Sequence, residues 1–109
     1  AATQSSAGTM AIWVDSDGYY AEPSFSSVIL TSVMKQTGNA VFDTIQEYSN
    51  GDFTNVSYIG TLENEGVGLA PYHDFEDAVP QELKDEVEAL RQSIISGEVV
   101  ITSASSPKA

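Results

Sequence analysis

The sequence predicts an α/β layered domain, with a mostly parallel sheet flanked by helices. Three observations carry this reading. Met10–Val14 and Val28–Leu30 are short apolar runs with the length of strands buried in a sheet. Two longer stretches, near 34–50 and 80–95, instead repeat apolar residues at helical spacing. The two kinds of segment alternate along the chain, as strands and helices do in layered α/β folds.

Taken in order, Met10–Val14 holds Ile12, Trp13 and Val14 without a polar break, the pattern of a strand covered on both faces. Ala21–Ser27 (AEPSFSS) is a loop by composition. Val28–Leu30 opens a second strand that runs into TSVMKQ. From Met34 to Asn50, the residues Met34, Val41, Ile45 and Tyr48 recur at helical spacing, and Gly51 is a stop signal. Gly38 and Asn39 leave the start of that helix on either side of them. Val56–Leu62 reads as a strand, ENEG (Glu63–Gly66) as a turn, and Gly66–Ala70 as an extended piece stopped by Pro71. PYHDFEDAV is loop-like. Pro80 suits the first position of a helix, where its absent N–H is not missed. Leu83, Val87, Leu90, Ile94 and Ile95 form the apolar stripe of that helix, and Gly97 ends it. Glu98–Thr102 is expected as a last strand. The folded portion then spans 1–102, and 103–109 is a polar, Ser-rich tail expected to be mobile.

The totals exclude several function classes. A chain of 109 residues is one domain or part of one. Sixteen acidic residues against four basic ones give a net charge of −12, which repels phosphate backbones and anionic lipid surfaces. No nucleic-acid partner is expected. The apolar runs fall far short of the roughly 18 residues that a membrane span needs. With no cysteine there is no disulfide, thiolate or Cys-based metal chemistry, and a single histidine leaves no His-rich metal site. No cofactor is expected. The opening AATQSSAG reads like the tail of an earlier helix and its loop, so further polypeptide upstream is expected.

Chemistry concentrates at VDSDGYY. Asp15 lies just past the carboxyl end of the first strand, where open α/β sheets present their ligands. Its two oxygens can accept hydrogen bonds from two neighbouring hydroxyls of a sugar. Asp15 or Asp17 can equally cap the turn through its own backbone amides, and both readings stay open. Calcium fails on spacing, because the fifth, sixth and twelfth places counted from Asp15 hold Tyr19, Tyr20 and Ser26. Lys35, one of few cations, ends the second strand near the same sheet edge. It can serve a ligand oxygen, Asp15 or solvent. Trp13 precedes Asp15 by two residues, on one face of a regular strand, and can stack on a ring or fill core. His73 sits among Asp74, Glu76 and Asp77, a set that could work as base or metal ligand. That stretch is contiguous, brings no nucleophile and precedes a helix start, where acidic groups favour the dipole. Capping and docking is its better reading. Glu82, Asp85, Glu86 and Glu88 with Lys84 and Arg91 form a solvated helix face.

In order and spacing, VDSDGYY, VILTSVMK and GVGLAPYHDFEDAVPQELKDEVEALRQSIISGEV resemble the C-terminal part of the basic membrane protein family. These are PnrA-like substrate-binding lipoproteins of bacterial ABC importers for purine nucleosides. The resemblance covers Thr9 to Val99. It implies a type I periplasmic-binding-protein fold, in which two α/β lobes joined by a hinge of crossing strands hold ligand between them. Family members are much longer, so the chain looks like a C-terminal portion containing elements of both lobes. Leu30–Lys35 would be a hinge crossing, Ala40–Asn50 a helix of the opposite lobe, and Val56–Leu62 the returning strand. The resemblance gives Asp15 the ribose hydroxyls and places Lys35 in the cleft; Trp13 and Asp17, flanking Asp15 in the sequence, are candidates for positions near the ligand. One departure is Trp13 itself, where the family usually has Gly, which bears on strand packing and the pocket floor. The implied partners are a purine nucleoside, an ABC permease, and the rest of the parent chain or a second copy. The implied location is extracytoplasmic, lipid-anchored in the full-length parent. The reading is of a binding protein without catalytic residues. Two alternatives from other classes are a nucleoside hydrolase-like enzyme using Asp15, Asp17 and His73, and an interaction module docking through Glu82, Glu86 and Glu88.

Overall fold

The computed structural model describes residues 8–103. The opening AATQSSA and, beyond Ser103, the expected Ser-rich tail lie outside the described residues. Strands β1 (Ala11–Asp15), β2 (Ile29–Lys35) and β3 (Val67–Leu69) form one sheet in the order β1-β2-β3. β1 runs parallel to β2, with Asp15 opposite Met34, and the register shifts between Ala11 and Ile12. β3 runs antiparallel to β2, with Val67 opposite Lys35 and Leu69 opposite Val33. The sheet is therefore mixed, a correction to the mostly parallel sheet expected. Its cause is geometric: the chain leaves β2 at Lys35 and returns beside that same end. The Gln36 N–H donates to the Gly66 carbonyl at 2.9 Å, so the returning strand must run backwards along β2.

Helix α1 (Gly18–Ala21) is a single turn after β1, followed by 3-10 backbone over Pro23–Val28. Helix α2 covers Thr37–Asn50 and helix α3 covers Gln81–Ile95. Both glycine stops predicted from sequence are used, Gly51 and Gly97 adopting the left-handed backbone (φ 82° and 77°) that costs glycine least. Met34 belongs to β2 and not to the helix, which starts just before Gly38. Pro80 sits one place earlier than expected, as the N-cap of α3, accepting from the Leu83 and Lys84 amides.

Two expected strands do not form. Val56–Leu62 is irregular because a side chain takes the bonds a neighbouring strand would have made. Asn64 Oδ1 accepts from the amides of Thr61 (2.7 Å) and Gly66 (3.0 Å), and its Nδ2 donates to the Ile59 carbonyl (3.0 Å). Glu98–Thr102 is irregular as well. The Val99 N–H closes the end of α3 on the Ser93 carbonyl, and Val100 and Ile101 stay exposed.

Little of the apolar content is enclosed. Among the described residues, Ile29, Ala70 and Val79 are the buried apolar ones, joined by buried Thr31 and Ser32. Both hydroxyls are satisfied: Thr31 Oγ1 donates to the Ala70 carbonyl at 2.7 Å, and Ser32 Oγ accepts from the Gly18 amide at 3.0 Å. β1 is not covered on both faces as expected, since Ile12 is 63% exposed and Val14 58%. Val41, Phe42, Ile45 and Tyr48 of α2 are exposed too. The radius of gyration, 16.8 Å, exceeds the roughly 13 Å of a compact chain of about 100 residues. Helix α3 stands off the sheet across a cavity of about 620 Å³, lined by Val33, Leu69, Tyr72, Val87, Leu90 and Ile94 among others.

The start of α3 is tied to the preceding turn by Lys84, whose Nζ donates to the Glu76 side chain and, at 2.7 Å, to its carbonyl. The Lys84 hydrogen bond holds the Glu76 carboxyl below its usual 4.5, against a weaker upward push from burial. A depressed carboxyl contributes above its unfolded value and loses that contribution as pH falls through its folded value. The protection of the amides in the first turn of α3, measured as exchange relative to the intrinsic rate at each pH, is therefore expected to fall on acidification below about pH 4.5, and Glu76→Gln to remove most of that dependence.

Candidate functional site

Parallel pairing brings the carboxyl ends of β1 and β2 together, and with them Asp15 and Lys35. Lys35 Nζ lies 2.6 Å from Asp15 Oδ1, in an ion pair whose side chains are 71% and 63% exposed. An exposed pair of this kind is worth about 0–1 kcal/mol, too little to serve as a strut of the fold. It leaves a carboxylate and an ammonium facing solvent at a sheet edge, able to accept from and donate to one polar ligand. Asp15 has a left-handed backbone, φ 77°, which costs a non-glycine residue roughly 1–2 kcal/mol and is best tolerated by Asp and Asn. Regular strand alternation therefore stops before Asp15, and the face it was expected to share with Trp13 does not extend to it. Trp13 lies against the turn: a Cβ at Gly18 would meet its Cγ at 2.4 Å, so only glycine leaves room for the ring there.

Asp17 faces a different set of groups. Its Oδ1 accepts from the Tyr19 amide at 3.1 Å, capping α1, and its Oδ2 lies 2.8 Å from His73 Nε2. The capping alternative left open by the sequence thus applies to Asp17, while the Asp15 carboxylate meets Lys35. Tyr19 stacks on the His73 ring at 4.2 Å and 16°, and Tyr20 meets it edge-on at 5.3 Å. The Tyr19 hydroxyl donates to Asp74 at 3.0 Å. That bond and the charge behind it raise the Tyr19 pKa above its ordinary value. The docking reading of the His73 segment matches this arrangement. The sequence reading set Asp17 beside His73 only in the hydrolase-like alternative, because no local pattern joins residues 56 positions apart.

A second cavity, about 290 Å³, opens beside Lys35 and is lined also by Gln36, Thr37, Ala40, Tyr58 and Gly66. The Tyr58 hydroxyl donates to Asp43 at 3.0 Å, and burial first, then Asp43, raises its pKa. Sequence reasoning missed Tyr58. The two glycines flanking TLENE were its only local hint, since a Cβ at Gly66 would lie 2.4 Å from the Gly60 Cα. Among the described residues, no group of three or more His, Cys, Asp or Glu side chains is placed to hold a metal ion. None of the described helices is long and apolar enough to cross a membrane.

No curated protein matches this chain significantly. The family described as ABC transporter substrate-binding protein, PnrA-like (Bmp) matches residues 1–105, nearly the whole sequence. A match of that extent shows the family: the chain belongs to the Bmp family of PnrA-like ABC transporter substrate-binding proteins.

Proposed function

We propose that the chain is the C-terminal portion of an extracytoplasmic receptor that captures a purine nucleoside and delivers it to an ABC permease. The observation that carries this reading is the exposed Asp15–Lys35 pair, 2.6 Å apart at the joined carboxyl ends of two parallel strands. Asp15 accepts hydrogen bonds from the ribose 2′- and 3′-hydroxyls, and Lys35 donates to a ribose oxygen while remaining close to the carboxylate. The cavity beside Lys35 gives the bound sugar room on the Tyr58 side. The event is binding and release; no bond of the ligand is broken. β2 and β3 serve as hinge strands of a type I fold, and ligand closes two lobes about them. The exposed apolar faces of β1, α2 and α3 are covered by the remainder of the polypeptide. That remainder also carries the lipid anchor and most base-reading groups.

The test is calorimetry on the complete polypeptide with inosine and 2′-deoxyinosine. Removing one hydroxyl leaves a carboxylate oxygen without its donor. The deoxynucleoside is expected to bind roughly 10- to 150-fold more weakly, from about 1.5–3 kcal/mol for a hydrogen bond to a charged group. Equal affinity for the two ligands overturns the diol assignment.

A further inference from the structure

Asp15 ends β1 opposite Met34, and beyond that last rung little holds its carboxylate in place. Its ion pair is exposed, its backbone is left-handed, and Ser16 beside it is exposed as well. A ligand-reading carboxylate needs a fixed backbone, because affinity depends on its geometry being set before the ligand arrives. That fixed point lies two residues further on. His73 and Asp17 form the more enclosed of the two ionic contacts at this end of the sheet, with side chains only 11% and 18% exposed. Tyr19 and Tyr20 pack on two sides of the His73 ring. Next to Asp17, the Gly18 amide donates to buried Ser32 Oγ in the central strand. His73 also has a left-handed backbone, φ 46°, so the segment after β3 is bent to bring the imidazole to the turn.

We propose that His73 is a positioning residue for the ligand site: its Nε2–H, bonded to Asp17, fixes the Asp15–Gly18 turn and thereby the direction of the Asp15 carboxylate. The proposal rests on Asp15 being a ligand-reading group, as set out above. It ascribes to His73 no contact with ligand. The Asp17 carboxylate accepts, so the imidazole carries its proton on Nε2. A side-chain amide at position 73 can supply the same donor without a ring or a charge.

The experiment compares His73→Ala with His73→Gln in the complete polypeptide. Both replacements meet the same left-handed backbone, so their difference isolates the donor. Trp13 is the only tryptophan in this chain and lies on Gly18, which makes its environment a reporter of the turn; any tryptophan elsewhere in the polypeptide is replaced by Phe first. In His73→Ala, exchange of the Gly18 amide is expected to quicken roughly tenfold and Trp13 emission to shift red, while His73→Gln stays within about threefold of the parent. Inosine affinity is expected to fall roughly tenfold in the Ala variant and to recover in the Gln variant. If His73→Ala leaves Gly18 exchange and Trp13 emission unchanged, or His73→Gln fails as badly as Ala, the positioning role is overturned. The exchange and emission arms decide this without any nucleoside. Failure of the ribose reading shows separately, as equal binding of inosine and 2′-deoxyinosine by the parent protein.

Discussion

Asp15→Ala in the complete polypeptide is expected to weaken inosine binding by roughly 30- to 1000-fold. The hydrogen bonds that the diol donates to a charged acceptor are lost, about 2–4 kcal/mol for the pair, less than twice the single-bond figure because both freed hydroxyls regain water. The same variant should cost only about 1–2 kcal/mol of stability, from the poorer fit of Ala to the left-handed backbone, since the Lys35 pair it breaks is exposed, and Asp15→Asn should barely move the melting temperature. Affinity and stability therefore separate. Asp15→Asn is the sharper control: it tolerates the left-handed backbone as Asp does, keeps one acceptor oxygen and discards the charge. Its affinity should fall between parent and Ala. Calorimetry on the three proteins checks the order, and unchanged affinity in Asp15→Ala would falsify the assignment.

Gly66→Ala is expected to have the largest effect on stability, about 3 kcal/mol. The added Cβ would lie 2.4 Å from the Gly60 Cα and 2.8 Å from Asn64 Oδ1. One obstacle is backbone, which cannot swing aside as a side-chain tip can, so the 60–66 loop must open. Opening it disturbs the Asn64 bonds and the Gln36–Gly66 bond that sets the direction of β3. Urea unfolding should show a lower midpoint with an unchanged slope. Gly68→Ala is the comparison: nothing lies within 4 Å of a Cβ there, so that substitution should cost far less.

The sequence made legible those features whose causes are local. Residues 11–14 and the run from Ile29 through Lys35 became strands because continuous apolar and β-branched content favours them. Gly51 and Gly97 ended their helices because a left-handed residue was needed at each. Val56–Leu62 misled for the complementary reason. Its composition suits a strand, but a strand exists only beside another, and Asn64 had already taken the bonds on offer. The antiparallel course of β3 was hidden likewise, being set by where the chain returns. Asp15 and Lys35 were legible as a candidate site because strand ends in parallel sheets converge. The clamp on Asp17 was not, since no local rule connects it to His73.

β1 is an outermost strand of the sheet, and the side chains of Ile12 and Val14 lie bare along it. Unpaired amides and carbonyls along such a margin can template the addition of a strand from another molecule. Taken alone, then, this chain carries its own seed for clumping, held in check near neutral pH by mutual repulsion among copies with twelve excess negative charges. Acidification removes that repulsion as the carboxylates protonate. Turbidity should then appear in mild acid before the strands themselves come apart.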